Sequence, residues 1–299
     1  MAETIGILGA GAMGTLLAAK LGRAGHVVHL LARSSARREA LRKELFPVQV
    51  EETLEGLRPA ALVFVCVKSF DTAGAAAVLA GLPSTIGICS LQNGWGNLET
   101  LAARLPGFPL IAGTTSLGGY LDDAGVLHAS TTGSTQFAPW EETEVRWAEY
   151  AVTLFESAGF RAELKRDARG ILWQKLVLSV AVNPISALCG RPNGAILESP
   201  PLLRVAEAAA GEATRVGARL GYLDPTFDPS IALQRILEET KANRSSMAED
   251  LARTRRTEID AIARPIVFAG KETGEPVPVL EGLWALVRAA EANAIRHIP

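Results

Sequence analysis

The sequence is poor in the residues that mark disulfide-stabilised, metal-binding and nucleic-acid-binding proteins. Its three cysteines, Cys66, Cys89 and Cys189, are odd in number and scattered, so neither a disulfide framework nor a zinc site is expected. The four histidines do not cluster with them, and we predict no metal site. A net charge of -2 gives no electrostatic footprint for nucleic acid. Unpaired thiols favour a reducing, cytoplasmic setting.

Long apolar runs are also scarce. No uninterrupted apolar stretch in the 299 residues is long enough to cross a bilayer, and the first residues lack the charged and apolar regions of a secretion signal. A composition that is 48% hydrophobic and 21% charged is ordinary for a globular protein. We therefore expect neither nucleic acid nor a membrane as a partner. The long apolar helices could support a homodimer or form the internal core of a monomer, and the sequence leaves both open.

The first half of the chain alternates short β-branched runs with Ala- and Leu-rich helical stretches. This alternation predicts a parallel sheet covered on both faces by helices. The predicted strands are TIGIL (4–8), HVVHLL (26–31), ALVFVCV (61–67), TIGICSL (85–91) and PLIAGT (109–114). Beyond them, GVLHAS (125–130) and GSTQFAP (133–139) are predicted to pair as antiparallel strands across a Thr/Gly turn, followed by a helix over 142–157 and a strand over 160–164.

After Lys165 the pattern becomes helical throughout, and Pro and Gly fall between the helices. The predicted helices cover 167–190, 201–221, 229–241, 247–269 and 279–294. The expected fold class is therefore α/β, with an N-terminal Rossmann-type dinucleotide-binding domain over 1–166 and an all-α C-terminal domain over 167–299.

A glycine-rich turn links the first predicted strand to the first predicted helix. Gly9, Gly11 and Gly14 in GILGAGAMG form G-x-G-x-x-G, which allows a tight turn, close approach of a pyrophosphate and close helix–strand packing. The helix N-terminus beyond the turn offers unpaired N–H groups to phosphate. We predict a dinucleotide site that includes Gly9, Gly11, Ala12, Met13 and Gly14.

The end of the second predicted strand indicates which dinucleotide binds. NAD-dependent enzymes place an Asp or Glu there for the ribose 2′-hydroxyl, whereas LLARSSARR (30–38) has no acid. Arg33 stands at that point with Ser34 nearby, and a guanidinium with hydroxyl support suits a 2′-phosphate. The predicted cofactor is NADP(H). Arg37 and Arg38 either assist Arg33 or form a solvated helix face.

Polar residues follow three predicted strands at the sheet edge where ligands of parallel sheets lie. These residues are Lys68 after the third strand, Gln92 and Asn93 after the fourth, and Thr114, Thr115 and Ser116 after the fifth. Asn93 could hold the nicotinamide ribose or the substrate, and Lys68 could place a charge near either.

Two polar stripes cross the helical half. In WQKLVLSVAVNP (173–184), Lys175, Ser179 and Asn183 recur at four-residue steps on an otherwise apolar helix. They therefore share one face of a helix that we expect to be buried. A lysine is rarely buried unless it is paired or functional. Pro184 frees a backbone carbonyl one turn earlier and is expected to kink the helix beside these side chains.

The second stripe lies in NRSSMAEDLARTRRTEIDAI (243–262) and consists of Ser246, Asp250, Thr254 and Glu258. Glu258 is followed by Ile259 and Ile262 on turns expected to face the core, so a carboxylate there needs a cation. Lys175 is the natural partner, either as part of a catalytic site or in a structural buried ion pair. Asn193, in a Pro-Asn-Gly turn, could simply supply turn geometry.

Taken in order, these motifs resemble the ketopantoate reductase family, the 2-dehydropantoate 2-reductases. The resemblance covers nearly the whole chain and rests on GILGAGAMG, VKSFDT, LQNGWGN, GTTS, WQKL…NPISAL, RPNG and SSMAEDLARTRRTEID. It implies a Rossmann domain and a helical domain with the active site in the cleft between them. The implied activity is NADPH-dependent reduction of a 2-oxo acid to a 2-hydroxy acid, with 2-dehydropantoate to (R)-pantoate in pantothenate biosynthesis as the best match.

The resemblance also implies roles for single residues. Lys175 matches the general acid that acts on the substrate carbonyl, and Glu258 matches the carboxylate that positions this lysine and the substrate and lies close to the cofactor. Lys68 matches a lysine near the cofactor. The polar residues matched to substrate or cofactor contacts are Asn93, Asn183, Asn193 and Ser246. Ser179 departs from the asparagine often present in the pantoate-specific pattern, a change that bears on the substrate more than on the reaction.

Two alternatives remain open at this point. A related reductase for another 2-oxo acid or a β-hydroxyacid would share the architecture, but the N-x-x-x-K helix of the β-hydroxyacid dehydrogenase and imine reductase groups is absent because position 171 is Ile171. A non-catalytic NADP(H)-binding sensor would have no need of Lys175 as a proton donor. Burial would lower the pKa of Lys175 and Glu258 would raise it, and the sequence does not rank the two.

Overall fold

The computed structural model describes residues 4–45, 47–122, 124–129, 133–224 and 226–296, with side chains described as far as residue 293. The chain divides into two compact units, one of Met1–Gln92 with Gly96–Ile171 and one of Asn93–Trp95 with Leu172–Pro299. Each unit has its own hydrophobic core. The predicted α/β class, with a parallel sheet in the first half and helices in the second, is confirmed. A domain boundary after residue 166 stays a prediction.

The first unit is built on a sheet to which eight strands contribute within the described ranges. In chain order the strands of this unit are β1 (Thr4–Leu8), β2 (Val27–Leu31), β3 (Gln49–Glu51), β4 (Ala60–Val65), β5 (Gly87–Ser90), β6 (Leu110–Thr115), β7 (Gly119–Leu121), β8 (Leu127–Ala129), β9 (Ser134–Pro139) and β10 (Arg161–Leu164). The sheet order is β10-β9-β6-β5-β4-β1-β2-β3, and every neighbouring pair is parallel except β6 with β9.

The strand order reverses at β1, which lies between β2 and β4. Connections that leave a strand on opposite sides open a crevice at its carboxyl end, where doubly wound sheets bind ligands. The glycine-rich turn follows β1 directly, so the fold places it at this reversal.

The antiparallel pairing predicted for GVLHAS with GSTQFAP is wrong. β8 pairs with β7, whereas β9 joins the main sheet antiparallel to β6. Phe137 of β9 is fully buried and packs edge-on against Phe155, 4.8 Å between ring centroids. The ring of Phe137 is thus buried beneath the helix that follows β9, and β9 pairs with β6, a strand that lies before β7 and β8 in the chain. Thr131 and Thr132 of the predicted turn lie outside the described residues.

Five helices belong to the sheet unit and the others to the helical unit, as far as the structure describes the chain. The first group is α1 (Ala12–Arg23), α2 (Ser35–Glu44), α3 (Thr72–Leu79), α4 (Asn97–Arg104) and α5 (Val145–Ser157). The second group is α6 (Ala168–Cys189), whose first turn lies in the sheet unit, α7 (Ala195–Glu198), α8 (Pro200–Arg219), α9 (Pro229–Glu239), α10 (Ser246–Ala252), α11 (Ile259–Ile262), α12 (Arg264–Thr273) and α13 (Pro278–Arg296). Proline lies in the first turn of α8, α9 and α12, where the backbone N–H has no helical partner.

The single helix predicted over 247–269 is wrong, because α10 ends at Ala252 and α11 begins at Ile259. Thr254 has a φ of +56°. Its N–H donates to the Leu251 carbonyl (3.0 Å), and the Arg255 N–H donates to the Asp250 carbonyl (2.8 Å). These two bonds form a Schellman-type helix end with threonine where glycine is usual. The four-residue stripe from Ser246 to Glu258 therefore does not exist as one helix face.

The helix α6 is the centre of the second core. Trp173, Val177 and Val180 are at most 1% exposed, while Lys175, Ser179 and Asn183 are half-buried, so the predicted polar stripe is the line along which this helix is open. Among the described residues, α6 is the helix long and apolar enough to cross a membrane by length and composition, with a mean hydropathy of 1.4. Of that apolar window 56% is buried inside the protein, as in a core helix of a soluble protein.

Candidate functional site

The glycine-rich turn has the shape that its spacing predicts. Gly9 has a φ of +110°, and a Cβ there would lie 2.9 Å from the backbone nitrogen of Val67. A Cβ on Gly14 would overlap the carbonyl oxygen of Gly9. Gly11 differs, because a Cβ there would meet no protein atom within 4 Å. The turn is therefore closed at Gly9 and Gly14 and faces open space at Gly11.

The first turn of α1 borders this open space. Gly11 is the N-cap of α1 and makes no side-chain cap bond, and the N–H groups of a first helical turn have no acceptor within the helix. Ala12 and Met13 are the first residues of this turn and are half-buried. Open space in front of uncapped N–H groups fits a pyrophosphate.

Of the three arginines after β2, only Arg33 extends into solvent. Its side chain is 83% exposed, and Nη2 lies 2.9 Å from Oδ2 of Asp71. Oγ of Ser34 accepts from the Arg37 backbone N–H and caps α2, so part of its hydrogen-bonding capacity is used within the protein. Arg33 is therefore the cation available to a ligand at the end of β2.

Arg37 and Arg38 have partners within the protein, so they do not form a solvated helix face. Assistance to Arg33 in cofactor binding stays a prediction. Nη1 of Arg37 donates to the Gly125 carbonyl (2.9 Å) and Nη2 to Oγ1 of Thr15 (3.1 Å). Arg38 is buried and donates from Nη1 to the Arg33 carbonyl at 2.7 Å. Arg37 braces the start of α1, and Arg38 fixes the backbone that carries Arg33.

The polar residues that follow the strands are used mostly for internal hydrogen bonds. Gln92 is 5% exposed and donates from Nε2 to Oγ1 of Thr72 at 2.7 Å. Oγ1 of Thr115 accepts from the Leu117 backbone N–H at 3.1 Å. Lys68 is half-buried and precedes a short 3₁₀ turn, Ser69–Asp71. A cofactor contact by Lys68 stays a prediction.

Asn93 belongs to the helical unit, together with Gly94 and Trp95. The Trp95 N–H donates to the Ala261 carbonyl at 2.8 Å. Gly94 has a φ of +87°, and a Cβ there would lie 2.6 Å from that same carbonyl oxygen. The Trp95 ring stacks on Tyr222 with 5.0 Å between centroids. The segment is thus fastened to the helical unit by its backbone and by its aromatic ring.

This attachment brings Asn93 to Glu258. Nδ2 of Asn93 donates to Oε2 of Glu258 at 3.4 Å. Glu258 is 6% exposed and is the N-cap residue of α11, where its carbonyl accepts from the Ala261 N–H at 2.9 Å. Two of the predicted site residues, distant in sequence, therefore meet.

Lys175 of α6 is the titratable cation of this group. Burial lowers the pKa of its ammonium from 10.5 to about 8, and the nearby charge of Glu258 opposes that fall. The sequence did not show whether burial or the charge of Glu258 has the larger effect on this pKa; in the structure burial has the larger effect. An ammonium with a pKa near 8 donates a proton more readily than an ordinary lysine does.

Sequence reasoning missed Glu291, which is 7% exposed and holds the segment before Glu258. Oε1 of Glu291 accepts from the Thr257 backbone N–H at 2.6 Å. A signal for it existed, because Glu291 follows Leu283 and Val287 at four-residue steps on α13, where an apolar residue would be expected. The carboxylate of Glu291 thus supports the irregular stretch between α10 and α11.

The remaining predicted substrate residues have mixed surroundings. Ser246 is exposed at the start of α10, whereas its neighbour Ser245 is buried, caps that helix and bonds Oγ of Ser186 at 2.6 Å. Ser245 was missed, although a serine before a helical stretch is a capping signal. Substrate contacts by Ser179, Asn183 and Ser246 stay predictions.

Asn193 serves turn geometry. Its backbone N–H donates to the Asn243 carbonyl at 2.9 Å, and Nδ2 donates to Oγ1 of Thr240 at 3.0 Å. Its Oδ1 is buried and has no hydrogen-bond partner within the described part of the chain. A role for Asn193 in substrate binding stays a prediction.

Two of the three cysteines, Cys66 and Cys89, lie in the sheet unit, whereas Cys189 is exposed. Burial raises the pKa of Cys66 to about 12 and that of Cys89 well above its ordinary value, so both are protonated core side chains. Across the described ranges, no group of three or more His, Cys, Asp and Glu side chains is arranged to hold a metal ion.

Comparison with known proteins agrees with this arrangement. The pattern of the family described as ketopantoate reductase PanE/ApbA matches residues 5–142, and that of its C-terminal part matches residues 167–291. The chain is 36% identical over 304 residues to a 2-dehydropantoate 2-reductase of Archaeoglobus fulgidus, covering 97% of this chain and 99% of that protein.

Two solved structures share the fold over nearly the whole chain. A PanE/ApbA family ketopantoate reductase from Ralstonia eutropha JMP134 superposes with a TM-score of 0.86 at 30% identity, covering 97% of this chain and 99% of that one. A D-mandelate dehydrogenase bound to NADH and anilino(oxo)acetate superposes with a TM-score of 0.87, with the same two coverages, but at 19% identity it shows the fold alone. Both parts of the family pattern and the full-length relative lead to one conclusion: the chain belongs to the ketopantoate reductase family.

Proposed function

We propose that this protein is an NADPH-dependent oxidoreductase that reduces 2-dehydropantoate to (R)-pantoate, a step of pantothenate biosynthesis. The observation that carries the proposal is the half-buried Lys175, whose pKa is lowered to about 8 beside the buried Glu258. A cation in that setting is adapted to meet a negative charge and to release a proton.

Lys175 acts on the carbonyl oxygen of the 2-oxo acid. When bound, NADPH would supply the hydride for the carbonyl carbon. Negative charge then develops on the carbonyl oxygen, where the ammonium of Lys175 stabilises it and transfers a proton to give the hydroxyl. Neutral Lys175 regains its proton from solvent before the next turnover.

Glu258 and Asn93 set the state of the lysine. The carboxylate charge of Glu258 raises the pKa of Lys175 against the effect of burial, so the lysine keeps its proton near neutral pH. Asn93 donates a hydrogen bond to Glu258 and so helps to hold that carboxylate in place. Ser179 and Asn183 lie on the same helix face as Lys175 and supply a hydroxyl and an amide for the substrate's own polar groups.

The cofactor is held by the glycine-rich turn and by Arg33. The N–H groups of the first turn of α1, at Ala12 and Met13, bind the pyrophosphate, and Arg33 binds the 2′-phosphate. Lys68 adds a positive charge at the edge of the sheet. We further propose a cytoplasmic enzyme that acts as a monomer or a homodimer.

The test is a turnover assay with NADPH and 2-dehydropantoate, followed by the loss of NADPH absorbance. We expect saturable turnover, and we expect Lys175→Ala to abolish it while NADPH binding persists. A purified protein that binds NADPH but oxidises it with neither 2-dehydropantoate nor other branched 2-oxo acids would contradict the proposal and favour a sensor.

A second candidate is a reductase of the same mechanism for another 2-oxo acid. The observation that favours it is Ser179, which is shorter than the asparagine often present at this place in the pantoate-specific pattern. Comparison of kcat/KM across a panel of 2-oxo acids, with and without a hydroxyl at C4, separates the two candidates.

A further inference from the structure

The exposed ion pair of Arg33 and Asp71 lies at the end of β2, where the second ribose of a dinucleotide is expected. Nη2 of Arg33 and Oδ2 of Asp71 are 2.9 Å apart, and their side chains are 83% and 33% exposed. The cation that the proposed function assigns to the 2′-phosphate is therefore already in contact with a carboxylate of the same chain.

We propose that Asp71 is a specificity-determining residue that weakens the preference of this protein for NADPH over NADH. The proposal rests on the proposed function only for the place where the dinucleotide binds. The new element is that the turn after β4 supplies an acid, Asp71, whose negative charge reduces the attraction of Arg33 for a phosphate.

The pair carries no net charge. A 2′-phosphate that binds Arg33 comes close to the carboxylate of Asp71, and like charges at such distances repel each other near a protein surface, with an energy that salt reduces. The ribose 2′-hydroxyl of NADH has no charge and meets no such repulsion. Asp71 therefore lowers the affinity for NADPH and leaves that for NADH nearly unchanged.

The carboxylate of Asp71 does not cap the helix that it precedes. Asp71 is the N-cap residue of α3, but its side chain makes no cap hydrogen bond there. Its backbone N–H donates to the Lys68 carbonyl at 2.8 Å, and Asp71→Asn preserves that bond. Removal of the charge is thus expected to act on the ligand and not on the fold.

Arg38 provides a useful contrast. It is also paired with an acid, Glu52, at 2.7 Å, but its side chain is only 9% exposed and it holds the backbone around Arg33. That pair is part of the structure, whereas the Arg33–Asp71 pair is open to a ligand.

The experiment measures dissociation constants for NADPH and NADH by the fluorescence of the reduced nicotinamide, without any 2-oxo acid. The variants are wild type, D71N and the control E39Q, which removes one exposed carboxylate from the Lys43–Glu39 pair of α2 and changes the net charge equally. Thermal unfolding of each variant checks that the fold is intact.

We expect D71N to tighten NADPH binding by about three- to tenfold, to change NADH binding by less than about twofold, and to lose most of its effect at high salt. E39Q should leave the ratio of the two constants unchanged. Unchanged or weaker NADPH binding in D71N, or equal tightening for both dinucleotides, overturns the proposal. A wild type that binds neither dinucleotide overturns the proposed cofactor and this proposal together, whereas a wild type that binds both but reduces no 2-oxo acid leaves this proposal standing.

Discussion

Asn93 and Glu258 are 165 residues apart in sequence and are joined by a hydrogen bond of 3.4 Å from Nδ2 to Oε2. Asn93 follows a strand of the sheet unit yet packs as part of the helical unit. The bond places an amide next to the carboxylate whose charge acts on Lys175. A hydrogen bond links Asn93 to Glu258, and a charge effect links Glu258 to Lys175. Loss of Asn93 or of Glu258 should therefore alter the titration of Lys175.

Glu258→Gln should shift the pH dependence of the reaction. Activity requires protonated Lys175, so kcat/KM is expected to fall as pH rises through about 8. Glu258 raises this pKa, so its loss lets burial lower it further, and the fall moves to lower pH. Measurement of kcat/KM from about pH 6 to about pH 10 gives the midpoint, the pH at which activity has fallen by half. Glu281→Gln, which removes an exposed carboxylate of α13, should leave the midpoint unchanged.

The lowered pKa of Lys175 also predicts how stability varies with pH. The folded-state pKa is about 8 and the ordinary value is 10.5, so between these pH values the unfolded chain binds more protons than the folded one. Stability contributed at this site is therefore lowest below pH 8 and rises as pH increases towards 10.5. Relative to Lys175→Gln, the free energy of unfolding of the wild type should increase by about 2 kcal/mol over this window, after allowance for the part of the side chain that solvent reaches. Urea unfolding at both ends of the window measures the difference, and a constant difference would contradict the assigned pKa.

The sequence was sufficient for features that depend on neighbours along the chain. Gly9, Gly11 and Gly14 act within one turn, and Lys175 with Ser179 shares one helix face, so spacing alone predicts their arrangement. The α/β class follows in the same way from the alternation of strand and helix patterns.

Features that depend on distant contacts or unusual backbone were not predictable. The break after α10 uses Thr254 in a left-handed conformation, which threonine rarely adopts. The helical sequence pattern continues through this residue, so one long helix was predicted where the structure has two. The pairing of Arg33 with Asp71 and the support of Thr257 by Glu291 join separate elements. The four-residue spacing on α13 marks Glu291 as an unusual position, but no local period predicts which residue on another element it contacts.

The contrast between Gly11 and Gly14 separates folding from cofactor binding. Gly11→Ala adds a methyl group into space free of protein atoms, at a φ of -75° that alanine adopts easily. We expect its free energy of unfolding to change by less than about 0.5 kcal/mol, while the dissociation constant for NADPH rises by about tenfold or more because the pyrophosphate needs that space. Gly14→Ala, which forces the turn open, should lose about 1–3 kcal/mol of stability as well. Unchanged NADPH binding in Gly11→Ala would contradict the placement of the pyrophosphate.

Trp95 should matter for both stability and kinetics. Its ring packs on Trp173 and Tyr222 with centroids 4.9 and 5.0 Å away, and its backbone holds Asn93 near Glu258. Trp95→Ala is expected to lower the free energy of unfolding by about 2–3 kcal/mol, less than for a fully buried aromatic ring, and to shift the alkaline midpoint of kcat/KM. Trp95→Phe keeps an aromatic contact, so its free energy of unfolding and its alkaline midpoint should both lie close to those of the wild type. A loss of stability without any shift of the midpoint would mean that Trp95 does not position Asn93.

Ser179→Asn tests whether this position governs substrate choice. Ser179 is half-buried on the open face of α6, one helical turn from Lys175, and asparagine there extends further and adds two N–H donors. The longer side chain is expected to bond the C4 hydroxyl of 2-dehydropantoate, so kcat/KM for this substrate should rise relative to an analogue that lacks the hydroxyl. One added hydrogen bond of about 1 kcal/mol corresponds to a ratio change of roughly fivefold. Ser230→Asn makes the same chemical change at an exposed position of α9 and should leave the ratio unchanged, whereas an unchanged ratio in Ser179→Asn would show that this face of α6 does not contact the end of the substrate.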